Sequence, residues 1–198
     1  MIRLAGGRII DPANGRDEVG DLWVHRGRIV ARPEDGRADA THDVAGRIVM
    51  AGAIDIHSHI AGANENTARL LLPEQHKAHR RRPTATPLAA LGWSTRETGR
   101  LYASMGFTLV VEPAVAPHTA LHAHLELADT PIIDKAILVV LGNDDFLLSL
   151  LRRKEGAQAI RDYVATTLAS SRALGVKVVN AGGAMAFKHN LRSFGLDD

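Results

Sequence analysis

Two histidines one residue apart are the first side chains of this sequence that could bind a metal ion. His57 and His59 flank Ser58 at the end of the short apolar run 54–57. Successive side chains of a β-strand point to opposite faces, so residues two apart are expected on the same side. Neutral imidazole suits Zn²⁺ and related ions. The spacing therefore predicts a shared metal ion, and the alternative is a pair of surface histidines.

A lysine within an apolar strand is the second candidate. Lys177 is expected in the middle of a strand, within the run 176–180, which otherwise has the pattern of a buried strand. An ammonium group in a low-dielectric environment must be paired or neutralised. One interpretation is a lysine that pairs with an acid of a neighbouring strand or reaches solvent at an edge. The other is a neutral lysine that captures CO₂ as a carbamate, an anionic ligand able to bridge two cations. Both place Lys177 in a polar pocket and mark it as functional.

Short strands separated by turns are predicted for residues 1–52. The glycine pair 6–7, between the runs 3–5 and 8–10, is expected to form a two-residue hairpin. A second turn is predicted at residues 26–27, and a third around Gly46. This part of the sequence carries no helical periodicity. Residues 1–52 are therefore predicted to form a small β module.

The pattern after residue 52 is typical of alternating strands and helices. One helix is predicted from Ser94, which begins a capping box, to Gly106, and another over residues 157–174, ended by Gly175. Four β-branched apolar runs are predicted as parallel strands buried on both faces. They are residues 54–57, 107–112, 136–141 and 176–180. This order indicates an α/β fold, either an open doubly wound sheet or a barrel.

The composition excludes several classes of protein and site. The 198 residues are 45% hydrophobic and 23% charged with a formal net charge of +2, which gives no reason to expect nucleic acid or a membrane as a partner. The sequence has no cysteine, which excludes disulfides, iron–sulfur clusters and thiolate zinc sites. The longest apolar stretch, 136–141, is too short to cross a bilayer. A cytoplasmic protein is therefore expected.

Together the two motifs resemble the amidohydrolase superfamily. Gly52-x-x-Asp55-x-His57-x-His59 stands on the first predicted strand of the α/β part, and Lys177 on the fourth. The resemblance implies a small N-terminal β-sandwich over residues 1–52, followed by a TIM-type (β/α)₈ barrel. Residues 53–198 would form about half of such a barrel.

Four segments resemble the A component of formylmethanofuran dehydrogenase and of the bacterial formyltransferase/hydrolase complex. They are residues 56–62, 67–74, 111–114 and 177–183. The resemblance implies a zinc-dependent hydrolase that interconverts formylmethanofuran with formate and methanofuran, in a complex with other subunits. It implies two Zn²⁺ ions, with His57 and His59 on one and carboxylated Lys177 bridging both.

The sequence also departs from that family. A complete barrel takes about 250 residues, whereas only four barrel strands are predicted here. The family's remaining ligands, two histidines and the aspartate expected to be the general base, would lie beyond Asp198. The expectation is an N-terminal fragment that is inactive alone. The alternatives are a cyclic-amide hydrolase of the dihydropyrimidinase or dihydroorotase type and a catalytically silent scaffold subunit.

Other polar residues are predicted to have structural roles. The histidines at 118, 122 and 124 are expected on a solvated helix face, with Leu121 and Leu125 as the buried stripe. Residues 143–145 are predicted mainly to cap the next helix, although they follow the third strand. The histidines at 76, 79 and 189 are expected in loops and carry little weight as ligands.

Overall fold

The chain divides into two compact units, Met1–Gly52 and Ala53–Asp198. The structure is a computed structural model that describes residues 1–72, 74, 96–142 and 144–179. The mixture of strands and helices is α/β, with one sheet in each unit.

The first unit is built on a five-stranded sheet. Its strands are β1 (Ile2–Asp11), β2 (Arg16–His25), β3 (Arg28–Val30), β4 (Ala40–Asp43) and β5 (Ile48–Met50). The order is β3-β2-β1-β4, and β5 pairs with the second half of β1. β1 and β2 are antiparallel, whereas β4 and β5 run parallel to β1. Its strands belong to one sheet, so the predicted β-sandwich is not confirmed.

The glycine pair near the start does not form the predicted hairpin. β1 runs through both glycines, and its pairing with β2 shifts register between Leu4 and Gly7. Gly6 takes a φ of +75°, and its N–H donates to Asp21 Oδ1 at 3.0 Å. The glycine's freedom at positive φ is therefore used in a β-bulge inside one strand. Sequence alone could not distinguish the bulge from a turn.

The two other predicted turns are confirmed. Arg26 and Gly27 both have positive φ, 48° and 74°, as a two-residue hairpin of the I′ type requires between β2 and β3. Gly46 has a φ of 74° in the connection between β4 and β5.

The second unit carries a four-stranded parallel sheet. Its strands are β6 (Ala53–Asp55), β7 (Phe107–Val115), β8 (Asp134–Val140) and β9 (Gly175–Lys177), in the order β6-β7-β8-β9. All three pairings are parallel, as the sequence predicts. The expectation that all four strands are buried on both faces is wrong for the outer ones: Ile54 in β6 is 58% exposed. The deep core lies on β7 and β8, which have neighbours on both edges.

One of the two helices predicted for the second unit ends as expected: Gly106, with a φ of 87°, stands two residues after Ser104, the last helical residue. The α-helices in the described part of this unit are α1 (Ala63–Leu71), α2 (Arg96–Ser104), α3 (Ala120–Leu127), α4 (Asp145–Arg152) and α5 (Ala157–Ser171). α5 is shorter than predicted: it ends at Ser171, Arg172 caps it with a φ of 51°, and Gly175 is already the first residue of β9. Ser94 and its capping box lie outside the described residues.

Two short 3₁₀ helices complete the structure described, Pro12–Asn14 in the first unit and Pro117–Thr119 before α3. Among the helices that the structure describes, none is long and apolar enough to cross a membrane.

Candidate metal centre

The polar side chains of interest gather at one edge of the parallel sheet. β6 ends at Asp55, two residues before His57, and β9 ends at Lys177. Because the strands are parallel, their carboxyl ends lie at the same edge. This is the edge where α/β proteins bind their ligands. The topology therefore brings the two sequence motifs to one place.

Lys177 lies against the first histidine. Its Nζ is 2.9 Å from His57 Nδ1. β6 and β9 are separated by β7 and β8, so a flat sheet would hold them about 14 Å apart, three strand spacings of about 4.8 Å. The contact therefore requires the extended lysine side chain and a sheet that curls toward its polar edge. Lys177 is the last residue of β9, not an interior strand residue as the sequence suggested.

The two histidines lie beyond the strand that was predicted to carry them. β6 stops at Asp55, so period-two alternation does not orient the rings. Asp55 Oδ1 instead accepts a hydrogen bond from the His57 N–H at 3.0 Å, and the Ser58 N–H donates to the Val111 carbonyl at 3.2 Å. The imidazoles of His57 and His59 meet edge to face, with centroids 5.8 Å apart and planes at 80°. Hydrogen bonds in the turn, rather than the strand, bring the two rings together.

A buried glutamate holds the second histidine. Glu112 of β7 is 1% exposed, and its Oε1 lies 2.9 Å from His59 Nδ1. Its Oε2 accepts the N–H groups of Ile60 and Ala61 at 2.7 and 3.2 Å, and its Oε1 accepts that of Ala114 at 3.2 Å. A carboxylate accepts hydrogen bonds and does not donate them, so His59 presents Nδ1–H to it and keeps Nε2 for a ligand.

Glu112 is a residue of the candidate centre that the sequence pattern did not single out. Residues 111–114 are one of the segments that resemble the family, but that resemblance assigned no role to Glu112. The signal that could have identified it is a lone acid inside the run Phe107–Val115, where burial of an unpaired charge is costly.

A tyrosine from α2 also reaches the histidine turn. The Tyr102 hydroxyl lies 2.9 Å from Asp55 Oδ2 and 2.6 Å from Ser58 Oγ. Burial is the main cause that raises the pKa of the Tyr102 phenol, and the hydrogen bond to Asp55 also raises it. The phenol is therefore a proton donor at neutral pH.

Close backbone packing fixes the chain just after Lys177. A Cβ on Gly142 would lie 2.9 Å from the backbone nitrogen of Val179 and closer still to its carbonyl oxygen. Both contacts are with backbone, so no side-chain rotation could relieve them. Only glycine at position 142 allows the end of β8 to approach the residues after β9 this closely.

The other histidine group is dispersed. The His118 and His122 side chains are exposed, whereas His124 Nε2 lies 2.9 Å from the Ser171 carbonyl. The solvated face is confirmed for the first two but not for His124. Leu121 is 72% exposed, so the predicted stripe is wrong there. Small side chains let α3 approach the core instead, and its buried residues are Ala120, Ala123, Glu126 and Leu127.

The acidic residues after β8 serve the helix that follows. Asp144 Oδ1 accepts the Leu147 N–H at 2.9 Å, which is the predicted cap of α4, and also binds the Tyr163 hydroxyl at 2.6 Å. Asn143 and the histidines at 76, 79 and 189 lie outside the described residues.

The donor set fits a metal ion in part. Among the residues described, no three His, Cys, Asp or Glu side chains group closely enough to hold one. Two adjacent imidazoles, one of them oriented by a buried carboxylate, are suitable ligands. Lys177 as an ammonium has no lone pair to offer, but as a carbamate it would supply two oxygens.

Comparison with known proteins relates the chain to a family. Residues 40–193 match the model described as "Amidohydrolase family". The whole chain is 52% identical to the A component of the formyltransferase/hydrolase complex Fhc of Methylorubrum extorquens and covers 36% of it. Over 98% of its length it is 37% identical to protein FwdA of Methanocaldococcus jannaschii, of which it covers 34%. A local match of 58 residues, 29% of the chain, is 47% identical to dihydroorotase of Endomicrobium trichonymphae and covers 14% of it.

A solved structure gives the same result. The chain superposes with a TM-score of 0.80 and 53% identity on the crystal structure of the formyltransferase/hydrolase complex FhcABCD from M. extorquens with methylofuran. The match covers 100% of this chain and 36% of that one. The chain thus spans about a third of the length of the long relatives that it matches. Together with the family match over most of its length, these similarities show that the chain belongs to the amidohydrolase family.

Proposed function

We propose that this chain is the N-terminal part of a zinc-dependent hydrolase subunit that interconverts a formylmethanofuran-type compound with formate and the free amine. The observation that carries the proposal is the 52% identity to the Fhc A component over all 198 residues. The contact between Lys177 and His57 supports it independently, because it brings together the two motifs on which the chemistry depends.

Lys177 is proposed to act as a carbamate. The neutral amine would attack the carbon of CO₂ through its lone pair, form one N–C bond and release one proton, which leaves a carboxylate on nitrogen. The histidine turn beside Nζ supports this assignment, because a lysine meant to pair with an acid would be expected to face one. His57 and His59 are proposed to bind one Zn²⁺, and carboxylated Lys177 to bridge it to a second.

When bound, such ions supply Lewis acidity and lower the pKa of water toward about 7. The residues of this chain would bind the ions and orient the side chains that bind them. Glu112 would keep His59 in the tautomer that presents Nε2, and Asp55 would hold the backbone at His57. Hydrolysis adds one water across the formamide C–N bond and yields formate and an amine. The general base is proposed to be an aspartate outside this sequence.

Organisation and partners are part of the same proposal. Residues 1–52 would be the N-terminal β module, and residues 53–198 about half of a (β/α)₈ barrel. The M. extorquens relative belongs to a complex crystallised with methylofuran. By analogy, this chain would work in the cytoplasm with other subunits of such a complex. The 198 residues alone are proposed to lack turnover, because the candidate centre in their described part has two imidazoles and one amine to offer as ligands.

Hydrolysis of a cyclic amide is the second candidate. It is favoured by the match to dihydroorotase, which is limited to 29% of the chain. The whole-chain matches favour the N-formyl substrate instead.

The test compares two substrates on the full-length protein. Zinc-loaded enzyme is expected to release formate from formylmethanofuran and to leave dihydroorotate intact. Opening of dihydroorotate without formate release would reverse the assignment. Absence of both activities in a protein that retains its zinc and its partner subunits would favour a scaffold role.

A further inference from the structure

The hydroxyl of Tyr102 joins two residues of the histidine turn. It lies 2.9 Å from Asp55 Oδ2 and 2.6 Å from Ser58 Oγ, residues that stand on either side of His57. The ring itself packs edge to face on Phe107, with centroids 5.2 Å apart, so its position is set by the core. A rigidly placed hydroxyl therefore contacts the turn from α2.

Proton accounting gives each hydrogen bond a direction. The phenol has one proton, and the Asp55 carboxylate can only accept, so Tyr102 donates to Asp55 and accepts from the Ser58 hydroxyl. Asp55 uses its other oxygen to accept the His57 N–H at 3.0 Å. The chain of bonds thus runs from Ser58 through Tyr102 and Asp55 to the backbone of His57. It closes a ring around the first predicted ligand.

We propose that Tyr102 is a positioning residue of the metal centre, which holds His57 at its place through Asp55 and Ser58. This inference rests on the proposed function for the identity of His57 as a ligand. Because burial raises the pKa of Tyr102, the phenol keeps its proton at neutral pH and remains able to donate to Asp55.

The chain contains a matched control. Tyr163 also places its hydroxyl on an aspartate, Asp144 Oδ1 at 2.6 Å, and stacks on an aromatic ring, Phe146 at 4.9 Å. Burial raises the pKa of Tyr163 as well. Its aspartate caps α4 and does not touch the histidine turn. Tyr102→Phe and Tyr163→Phe therefore remove the same chemical group from the same kind of setting.

The experiment compares the two variants in the metal-free full-length protein, labelled with ¹⁵N-histidine. Tyr102→Phe is expected to shift the ring resonances of His57 and to speed exchange of its amide about five- to tenfold, the loss of one net hydrogen bond. Tyr163→Phe should leave both unchanged. In the zinc-loaded protein, Tyr102→Phe is expected to weaken zinc binding about 10–100-fold, which is typical when a residue that positions a metal ligand through hydrogen bonds is lost.

The outcomes separate this inference from the proposed function. Unchanged His57 resonances and amide exchange in Tyr102→Phe would overturn the inference, whatever the zinc affinity of the wild-type protein. Failure of the wild-type full-length protein to bind zinc would overturn the proposed function, while the metal-free spectra still decide the role of Tyr102. If Tyr102→Phe does not fold, Ser58→Ala provides the second test. It should speed His57 amide exchange, and no change there would count against the proposal.

Discussion

A carboxylate at the surface of the first unit and two buried carboxylates of the second unit have different structural roles. In the first unit Arg8 and Asp17 form an exposed ion pair, in which they meet at 2.7 Å with both side chains 55% exposed. In the second, Glu112 and Glu126 are 1% and 5% exposed and accept backbone N–H groups. Exposed pairs contribute little to stability because water and salt screen their attraction. A buried carboxylate fixes the geometry of its donors, and its removal leaves them unsatisfied at about 1–3 kcal/mol each.

This contrast indicates where the molecule requires precise geometry. An exposed pair such as Arg8 and Asp17 can lose its contact to water at little cost. The buried acids Glu112 and Glu126 cannot, because each accepts backbone N–H groups that would otherwise be unsatisfied. Glu112 alone of the two also contacts the predicted ligand His59. Substitutions in the two units should therefore differ in size of effect.

The largest effects are expected at the predicted ligands. In the full-length protein, His57→Ala or His59→Ala should abolish zinc binding and activity, because each removes one of the two imidazoles proposed to bind the ion. Lys177→Arg keeps the positive charge but cannot form the carbamate, and should also be inactive. Metal analysis and formate release are the measurements. His118→Ala, an exposed histidine, is the control, and near-normal activity of a site variant would remove that residue from the centre.

Among the residues that position the predicted ligands, Glu112→Gln should have the largest effect on stability and zinc affinity. The amide places N–H groups against donors, so we expect the free energy of unfolding to fall by about 1–3 kcal/mol. Zinc affinity should fall about 10–100-fold because His59 loses its partner. Denaturant unfolding and calorimetric titration measure the two effects. Glu126→Gln is the matched buried control, and it should lower stability with little change in zinc affinity. Equal zinc losses in both variants would contradict a specific role of Glu112.

Gly142→Ala tests whether close packing after β9 supports the centre. The new Cβ would overlap backbone of Val179, so the segment after Lys177 must move. Overpacking of this kind typically costs about 1–3 kcal/mol. Gly20→Ala in β2 meets only the end of Ile9, at 4.0 Å, and should be tolerated. Thermal unfolding compares the two, and equal stability would show that the segment adjusts freely.

The smallest effect is expected in the first unit, on acidification. The pKa of Asp21 is lowered first by the Gly6 N–H and further by Arg3. A carboxyl with a lowered folded pKa stabilises the fold above its unfolded value of about 3.9 and loses this as pH falls through the folded pKa. Asp21→Asn keeps an acceptor for the Gly6 N–H. It should make the free energy of unfolding fall less steeply with decreasing pH, in the acid limb of a plot of this free energy against pH. An unchanged limb below about pH 4 would contradict this assignment.

Asp17→Asn provides the comparison. Its pKa is lowered by the Arg8 side chain, and that exposed pair is screened by salt. Its effect on the acid limb should therefore shrink as ionic strength rises. The Gly6 hydrogen bond to Asp21 should be less sensitive to salt.

The four parallel strands were predictable because hydrophobic runs mark them, whereas their sequential order and the meeting of the two motifs were implied by the resemblance to a family. The placement of the His57 and His59 imidazole rings was not predictable. His57 is oriented by Asp55 and a turn, not by strand alternation, and that depends on contacts with residues about 45 to 55 positions away. The buried acid Glu112 was visible in the sequence, but its partners could be identified only from the fold.

The most direct test of the metal centre is a crystal structure of the full-length protein with data collected at the zinc absorption edge. We predict an anomalous peak about 2.0–2.1 Å from a ring nitrogen of both His57 and His59, with density for a carbamate on Lys177. An anomalous peak away from these residues, or none in an active enzyme, would contradict the proposed centre.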